Sequence, residues 1–158
     1  MIEKERKFAL KWMPKTISKN EIKQAYLLFE ENKHLRVRII DDTYAYLTLK
    51  TMHSAQIRTE YEYSIPLSDA YEMFISSKIK LTKTRYKTLY NGNCVDIDIF
   101  PNGMSVVEIE YEDELTELPE YCGEEITGVA KYSNVSIALL ESAIGFLRSG
   151  EAKTQQLT

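Results

Sequence analysis

Glu3-Lys4-Glu5-Arg6-Lys7-Phe8-Ala9-Leu10 opens the chain with alternating phases: Glu3, Glu5 and Lys7 share one, and Ile2, Phe8 and Leu10 share the other with Lys4 and Arg6. Successive side chains of a β-strand point to opposite faces, so period-two alternation is the signature of a strand. The pattern returns along the chain. Arg36 and Arg38 oppose Leu35, Val37 and Ile39; Tyr44, Tyr46, Thr48 and Lys50 oppose Ala45, Leu47 and Leu49; Arg58, Glu60 and Glu62 oppose Ile57, Tyr61 and Tyr63. Further on, Lys83 and Arg85 share a phase, Asp96 and Asp98 oppose Val95, Ile97 and Ile99, and Glu108 and Glu110 oppose Val107, Ile109 and Tyr111.

An antiparallel sheet with one wetted face accounts for alternation by itself. The polar phase here is nearly all ionisable, however, and comes in pairs of one sign. Like charges two apart on a strand lie roughly 7 Å apart on one face and repel unless something of opposite sign sits between them. If these faces turn inward in a closed barrel, Glu3, Glu5, Glu60, Glu62, Asp96, Asp98, Glu108 and Glu110 line it against Lys7, Arg36, Arg38, Lys50, Arg58, Lys83 and Arg85. Carboxylates suit a hard divalent cation, and Arg and Lys suit phosphate oxygens, so such a lumen favours the two ligands together. The apolar faces then point outward, under helices and long side chains.

The 158 residues fit one domain, read as 1–150 with a frayed tail over 151–158. With 44% hydrophobic and 28% charged residues and no long apolar run, a soluble protein is expected, without membrane partners. The charged N-terminus does not resemble an export signal, so the cytoplasm is the expected location. Net charge is −4 with both signs mixed along most segments, which argues against a nucleic-acid partner. Cys94 and Cys122 form no Cys-x-x-Cys pair, and each is read as packing. His34 and His53 have no partner at zinc-ligand spacing and are left out of the site.

Two helices stand apart from the alternation. Ser136 to Leu147 carries Ile137, Leu140, Ile144 and Leu147 at helical spacing, with Asn134 or Ser136 as its cap. Pro66-Leu67-Ser68 followed by Asp69 to Ser76 reads as another, with Ser68 at the cap, closing over one end of the sheet. Ser18-Lys19-Asn20-Glu21 has capping-box spacing, and the expectation is a brief helical turn and then a strand to Phe29.

The ordered motifs resemble those of the CYTH domain, the triphosphate tunnel metalloenzymes. Glu3-Lys4-Glu5-Arg6-Lys7 matches the family's Glu-x-Glu-x-Lys, and Gln24-Ala25-Tyr26-Leu27 resembles its Gln-x-Tyr-Leu strand. Arg36-Val37-Arg38, Leu47-Thr48-Leu49-Lys50 and Arg58-Thr59-Glu60-Tyr61-Glu62 resemble its next three strands. Lys83-Thr84-Arg85-Tyr86, Asp98-Ile99-Phe100 and Val107-Glu108-Ile109-Glu110 follow in order, then Glu125-Ile126-Thr127-Gly128 and Lys131-Tyr132-Ser133-Asn134. Phe100-Pro101-Asn102-Gly103-Met104 is a shorter turn than is common in the family, and Lys131 stands where arginine is usual.

The resemblance implies an α+β, mainly antiparallel β fold: an eight-stranded closed barrel, or tunnel, with a charged lumen, flanked by a few helices including a C-terminal one. It implies a triphosphate-bearing small molecule as substrate and Mg2+ or Mn2+ as cofactor, with a homodimer left open. Arg36, Arg38 and Arg85 are the expected phosphate forks, with Lys7, Lys50, Arg58, Lys83 and Lys131 as further cations. Glu3, Glu5, Glu108 and Glu110 are the implied metal ligands, and Lys7, Tyr26, Glu60, Glu62 and Asp98 the implied catalytic or supporting groups. Inorganic tripolyphosphate is the first expected substrate, because no pocket for a base or thiamine ring is evident in so compact a chain. The alternatives are nucleoside triphosphate or thiamine triphosphate hydrolysis, adenylyl cyclisation, and a non-catalytic polyphosphate or nucleotide binder.

Overall fold

The computed structural model describes residues 1–143. Eight antiparallel strands form a ring: β1 (Ile2–Leu10), β2 (Ser18–Glu30), β3 (Lys33–Ile40), β4 (Tyr44–Met52), β5 (Ile57–Ser64), β6 (Lys80–Tyr90), β7 (Asn93–Ile99) and β8 (Ser105–Glu110). Their order is β5-β4-β3-β2-β6-β7-β8-β1, and Ile2, Glu3 and Lys4 of β1 pair with Thr59, Arg58 and Ile57 of β5 to close it. A ninth strand, β9 (Cys122–Glu125), lies along β1. Phe8 pairs with Val107 of β8 and with Glu125 of β9, so β9 takes over the edge of β1 that β5 leaves.

Local chemistry fixes the hairpins. Asn91 (φ 49°) and Gly92 (φ 80°) form the two-residue loop between Tyr90 and Asn93, where both central residues need positive φ to match the strands' twist. Between β3 and β4, Asp41 and Asp42 adopt φ of 52° and 50°. The Asp41 carboxylate there accepts hydrogen bonds from the Glu21 backbone N–H and the Asn20 amide. Gly128 (φ 75°) lets the turn after β9 close on the β4–β5 connection, since a Cβ there would come within 2.9 Å of Ala55.

The apolar phase faces outward and is covered, as alternation implied. α1 (Leu67–Ser76) lies on the outside of β2, β3 and β4, packing Ala70, Leu67, Tyr71 and Phe74 onto Ala25, Val37, Ile39 and Ala45. It therefore covers the barrel wall rather than an end, and Pro66, not Ser68, occupies its N-cap. On the opposite side Leu115, Tyr121 and Cys122 cover Phe8, Val95, Ile97, Val107 and Ile109. Cys122 is thus packing, whereas Cys94 is exposed.

Two local readings give way to pairing. Ser18–Glu21 forms no helical turn, because Ser18 to Glu21 pair residue by residue with Lys87 to Thr84 of β6. Inter-strand hydrogen bonds along the full length of β2 outweigh a single capping box. The second helix is described over residues 134–143, and Ser133 caps it by accepting from the Ser136 N–H at 3.1 Å. Asn134 is used elsewhere, as described below. Ile144, Leu147 and the tail 151–158 lie outside the described residues, within which no helix is long and apolar enough to cross a membrane.

Apolar residues also enter the lumen. Leu81 shares the phase of Lys83 and Arg85, and Val106 that of Glu108 and Glu110, yet both are buried with Tyr26, Phe100, Ile126, Val135, Ile137 and Ala138. This cluster fills one sector at the deep end of the barrel, against the segment 126–138.

Candidate active site

Strand register sorts the lumen charges into two walls. On β2 and β3, Arg36 stands between Tyr26 and Thr48, and Arg38 between Gln24 and Tyr46, so both guanidiniums have neutral neighbours on either side. No carboxylate among the described residues forms an ion pair with either one, and the Arg36 Nε is buried without a partner. Arg38 donates Nε and Nη2 to the Gln24 side-chain oxygen at 3.1 and 3.0 Å. Burial, and then Arg36 and Arg85, push the Arg38 pKa down to about 9. Burial, Lys7 and Arg36 likewise push Lys50 down to about 8. This wall leaves Arg36, buried, and Arg38, half-buried, short of negative charge, while the half-buried Lys50 meets Glu60 at 3.7 Å.

The wall made by β7, β8 and β1 is the reverse. Glu5 lies directly opposite Glu110, and Asp96 directly opposite Glu108. Like charges in such register destabilise a sheet unless compensated. Glu5 is compensated by both terminal nitrogens of Arg58. Glu108 faces Lys7 at 3.5 Å and Arg85 at 3.4 Å, which outweigh burial and hold its carboxyl well below the ordinary range. Glu3, 3.6 Å from the Arg58 Nε, and Glu110 are less well served. Burial and then Glu60 and Glu110 push the Glu3 pKa up, and burial and then Asp96 do the same to Glu110.

Beneath these walls lies a fixed ionic floor. Asp98 accepts from Lys83 at 2.7 Å and from Arg85 Nε and Nη2 at 2.7 and 2.8 Å. Burial opposes its charge, but Arg85 and Lys83 prevail and hold its pKa at about 2. Lys83 also donates to the Asn134 side-chain oxygen at 3.1 Å, tying the second helix to the floor. Asp98 and Lys83 therefore serve as struts for Arg85.

The lumen proper is a cavity of about 190 Å³ lined by charged side chains of both walls. A second chamber of about 350 Å³ adjoins it and shares Glu5, Lys50, Arg58 and Asn134 with it. Lys7, Tyr26 and His34 face this second chamber, along with Phe29, Val129 and Tyr132. The pocket not evident in the sequence therefore exists, and His34, left out of the site, lines it edge-on to Tyr26 and Phe29. Burial, Lys50 and Arg36 lower the His34 pKa, which keeps the ring neutral.

Most of the expected residues converge. Glu3, Glu5, Arg36, Arg38, Lys50, Arg58, Glu60, Glu62, Arg85, Glu108 and Glu110 line the lumen, with Glu62 exposed at the mouth and held by the Thr48 hydroxyl. Lys131 does not join them: it lies on an exposed 3-10 turn (Ala130–Tyr132) with its ammonium over the Tyr132 ring. Gln24, Lys87 and Asn134 join the site without being among the expected site residues. Lys87 extends the Lys83-x-Arg85 phase and bonds Asp96 at 3.0 Å, so alternation alone would have found it.

The metal implied by the family can be tested on these residues. Glu3 and Glu110 are hard oxygen donors whose raised pKa values reflect burial and crowding by neighbouring carboxylates, which a divalent cation relieves. Glu5 and Glu108 are already engaged by bases, and among the described residues no cage of three or more ligands is preassembled. The donor chemistry fits, with Glu3 and Glu110 as the available pair.

The described residues thus form a closed barrel with one cation-rich and one carboxylate-rich wall. The CYTH domain family model matches residues 1–138, and the chain belongs to that family. It is 34% identical over 122 residues to the inorganic triphosphatase of Acetivibrio thermocellus, covering 73% of this chain and 78% of the relative. A crystal structure of an inorganic triphosphatase superposes with a TM-score of 0.64 at 28% identity, over 87% of this chain and 94% of that one. A putative adenylate cyclase from Vibrio parahaemolyticus shares the fold, with a TM-score of 0.55 at 15% identity over 89% and 87% of the two chains.

Proposed function

We propose that the chain hydrolyses inorganic tripolyphosphate to pyrophosphate and phosphate within the barrel, with Mg2+ or Mn2+ held at the mouth by Glu3 and Glu110. The observation that carries this reading is the segregation of charge. Arg36 is buried and Arg38 half-buried, neither with a carboxylate partner among the described residues, across the lumen from carboxylates that crowd one another. A ligand bearing several negative charges together with a divalent cation satisfies both walls at once.

In this reading Arg36 and Arg38 grip phosphate oxygens through paired N–H groups, and Lys50 and Lys7 act as point charges toward the second chamber. Tyr26, kept protonated by burial, is a hydrogen-bond donor on the same side. Arg85, braced by Asp98, balances Asp96 and Glu108 so that the acidic wall survives without ligand. Water attacks the terminal phosphorus; its oxygen forms the new P–O bond as the bridging bond breaks and the electron pair leaves on pyrophosphate. A lumen carboxylate takes the proton released by that water, and Glu60 and Glu62, on β5 beside the basic wall, are the bases nearest the cations. A bound divalent ion supplies neutralisation of phosphate charge and lowers the pKa of water.

The second chamber favours one further reading, in which an organic triphosphate places its organic end among Phe29, His34 and Tyr132. Phosphate release from tripolyphosphate, ATP and thiamine triphosphate, each with Mg2+ or Mn2+, separates the two. Tripolyphosphate turned over fastest supports the first; either ester turned over faster supports the second; no release from any of them contradicts both.

A further inference from the structure

Gln24 belongs to a motif that the proposed chemistry leaves unused. It is fully buried on β2, in register with Arg38 and two positions before Tyr26. Its side-chain oxygen accepts from Arg38 Nε at 3.1 Å and Nη2 at 3.0 Å, and its amide nitrogen donates to the Tyr26 hydroxyl oxygen at 3.0 Å. Guanidinium has donors only, so the Gln24 oxygen must face Arg38 and its NH2 must face Tyr26. That choice propagates. The Tyr26 oxygen is the acceptor in its bond to Gln24, so its own proton is directed elsewhere. Arg38 has one edge occupied and keeps its remaining N–H groups free.

We propose that Gln24 is a positioning residue: one amide, locked by its donor and acceptor ends, orients Arg38 and Tyr26 so that the free N–H groups and the phenol proton are both available to the phosphate ligand. A neutral amide is the group suited to this task. Glutamate at the same place would also hold Arg38, but would cancel its charge and draw the Tyr26 proton to itself. Leucine would hold neither. The inference rests on the triphosphate reading for its ligand, while the hydrogen-bond geometry behind it stands in the ligand-free protein.

Gln24→Glu and Gln24→Leu, each measured for thermal midpoint and for KM and kcat with tripolyphosphate, test the role. Gln24→Glu gains an ion pair, so its midpoint should match or exceed wild type while its KM rises about ten-fold or more, the size expected for losing a hydrogen bond to a charged group. Gln24→Leu should lose both stability and affinity. In an Arg38→Ala background the KM effect of Gln24→Glu should largely disappear. A structural role alone predicts that affinity follows stability, so wild-type KM and kcat in a stable Gln24→Glu overturn the proposal.

Calorimetric titration of wild type with tripolyphosphate separates this inference from the functional reading. If wild type neither binds nor hydrolyses it, the functional reading has failed. Gln24 is then judged by NMR of the Arg38 Nε–H in the ligand-free protein. Faster exchange of that proton in Gln24→Leu upholds the positioning contact, and unchanged exchange overturns it.

Discussion

Arg85 grips both oxygens of Asp98, through Nε at 2.7 Å and Nη2 at 2.8 Å, from directly paired positions on β6 and β7. Lys83 bonds the same carboxylate at 2.7 Å, so one buried anion holds two buried cations. Breaking a buried pair leaves an uncompensated charge, which costs far more than the pair contributes. Asp98→Ala should therefore destabilise the protein by about 3–5 kcal/mol in urea unfolding. A loss near zero would mean that Lys83 and Arg85 are solvated.

The same contact sets an acid limit. The Asp98 pKa is held at about 2, below its ordinary 3.8, so the folded state favours the charged form. Its contribution is fully present above about pH 4 and is lost as pH falls through 2. Stability measured from pH 5 to 2 should fall in wild type and fall less in Asp98→Asn.

Arg36 and Arg38 predict a trade between stability and binding. Arg38→Ala should weaken tripolyphosphate binding by about 1.5–3 kcal/mol, the range for a hydrogen bond to a charged group. Arg36→Met removes a buried cation whose Nε has no hydrogen-bond partner among the described residues, so the ligand-free protein should be as stable or more so while affinity falls. Calorimetry with tripolyphosphate and thermal melts without it check both halves; unchanged affinity in Arg38→Ala would mean that this guanidinium does not meet the ligand.

Lys50 gives a pH signature at the basic end. With its pKa pushed down to about 8, it is largely charged at pH 7 and largely neutral at pH 9. Tripolyphosphate affinity should fall across that interval, and the fall should shrink in Lys50→Arg, which stays protonated. A flat profile in wild type would remove Lys50 from the ligand's contacts.

The barrel was legible because charge marks one phase of nearly every strand, and Glu3, Arg36, Arg58 and Glu108 announce which face turns inward. Alternation reveals the face of a residue but not its height along the barrel. Leu81 and Val106 share the charged phase and yet plug the deep end, while Glu62 shares it and is exposed at the mouth. Nor does alternation reveal partners. Glu5 and Glu3 read alike in the sequence, but side-chain geometry gives Arg58's terminal nitrogens to Glu5 and leaves Glu3 the more distant Nε, at 3.6 Å, against crowding by Glu60 and Glu110. Gln24 carries no charge to mark it in the sequence, and only the structure places Arg38 and Tyr26 on either end of its amide.

If the carboxylates at the mouth serve chemistry rather than solvation, paired measurements on Glu3→Ala and Glu110→Ala will show it. Both carboxyls have pKa values raised above the ordinary 4.5, because burial and the neighbouring carboxylates disfavour their charged forms in the metal-free fold. Removing either charge should leave the metal-free thermal midpoint unchanged or higher. Phosphate release from tripolyphosphate with Mg2+ or Mn2+ should fall by orders of magnitude in both variants. Wild-type rates in both, with the fold preserved, would contradict the account and leave the acidic wall as a solvated face.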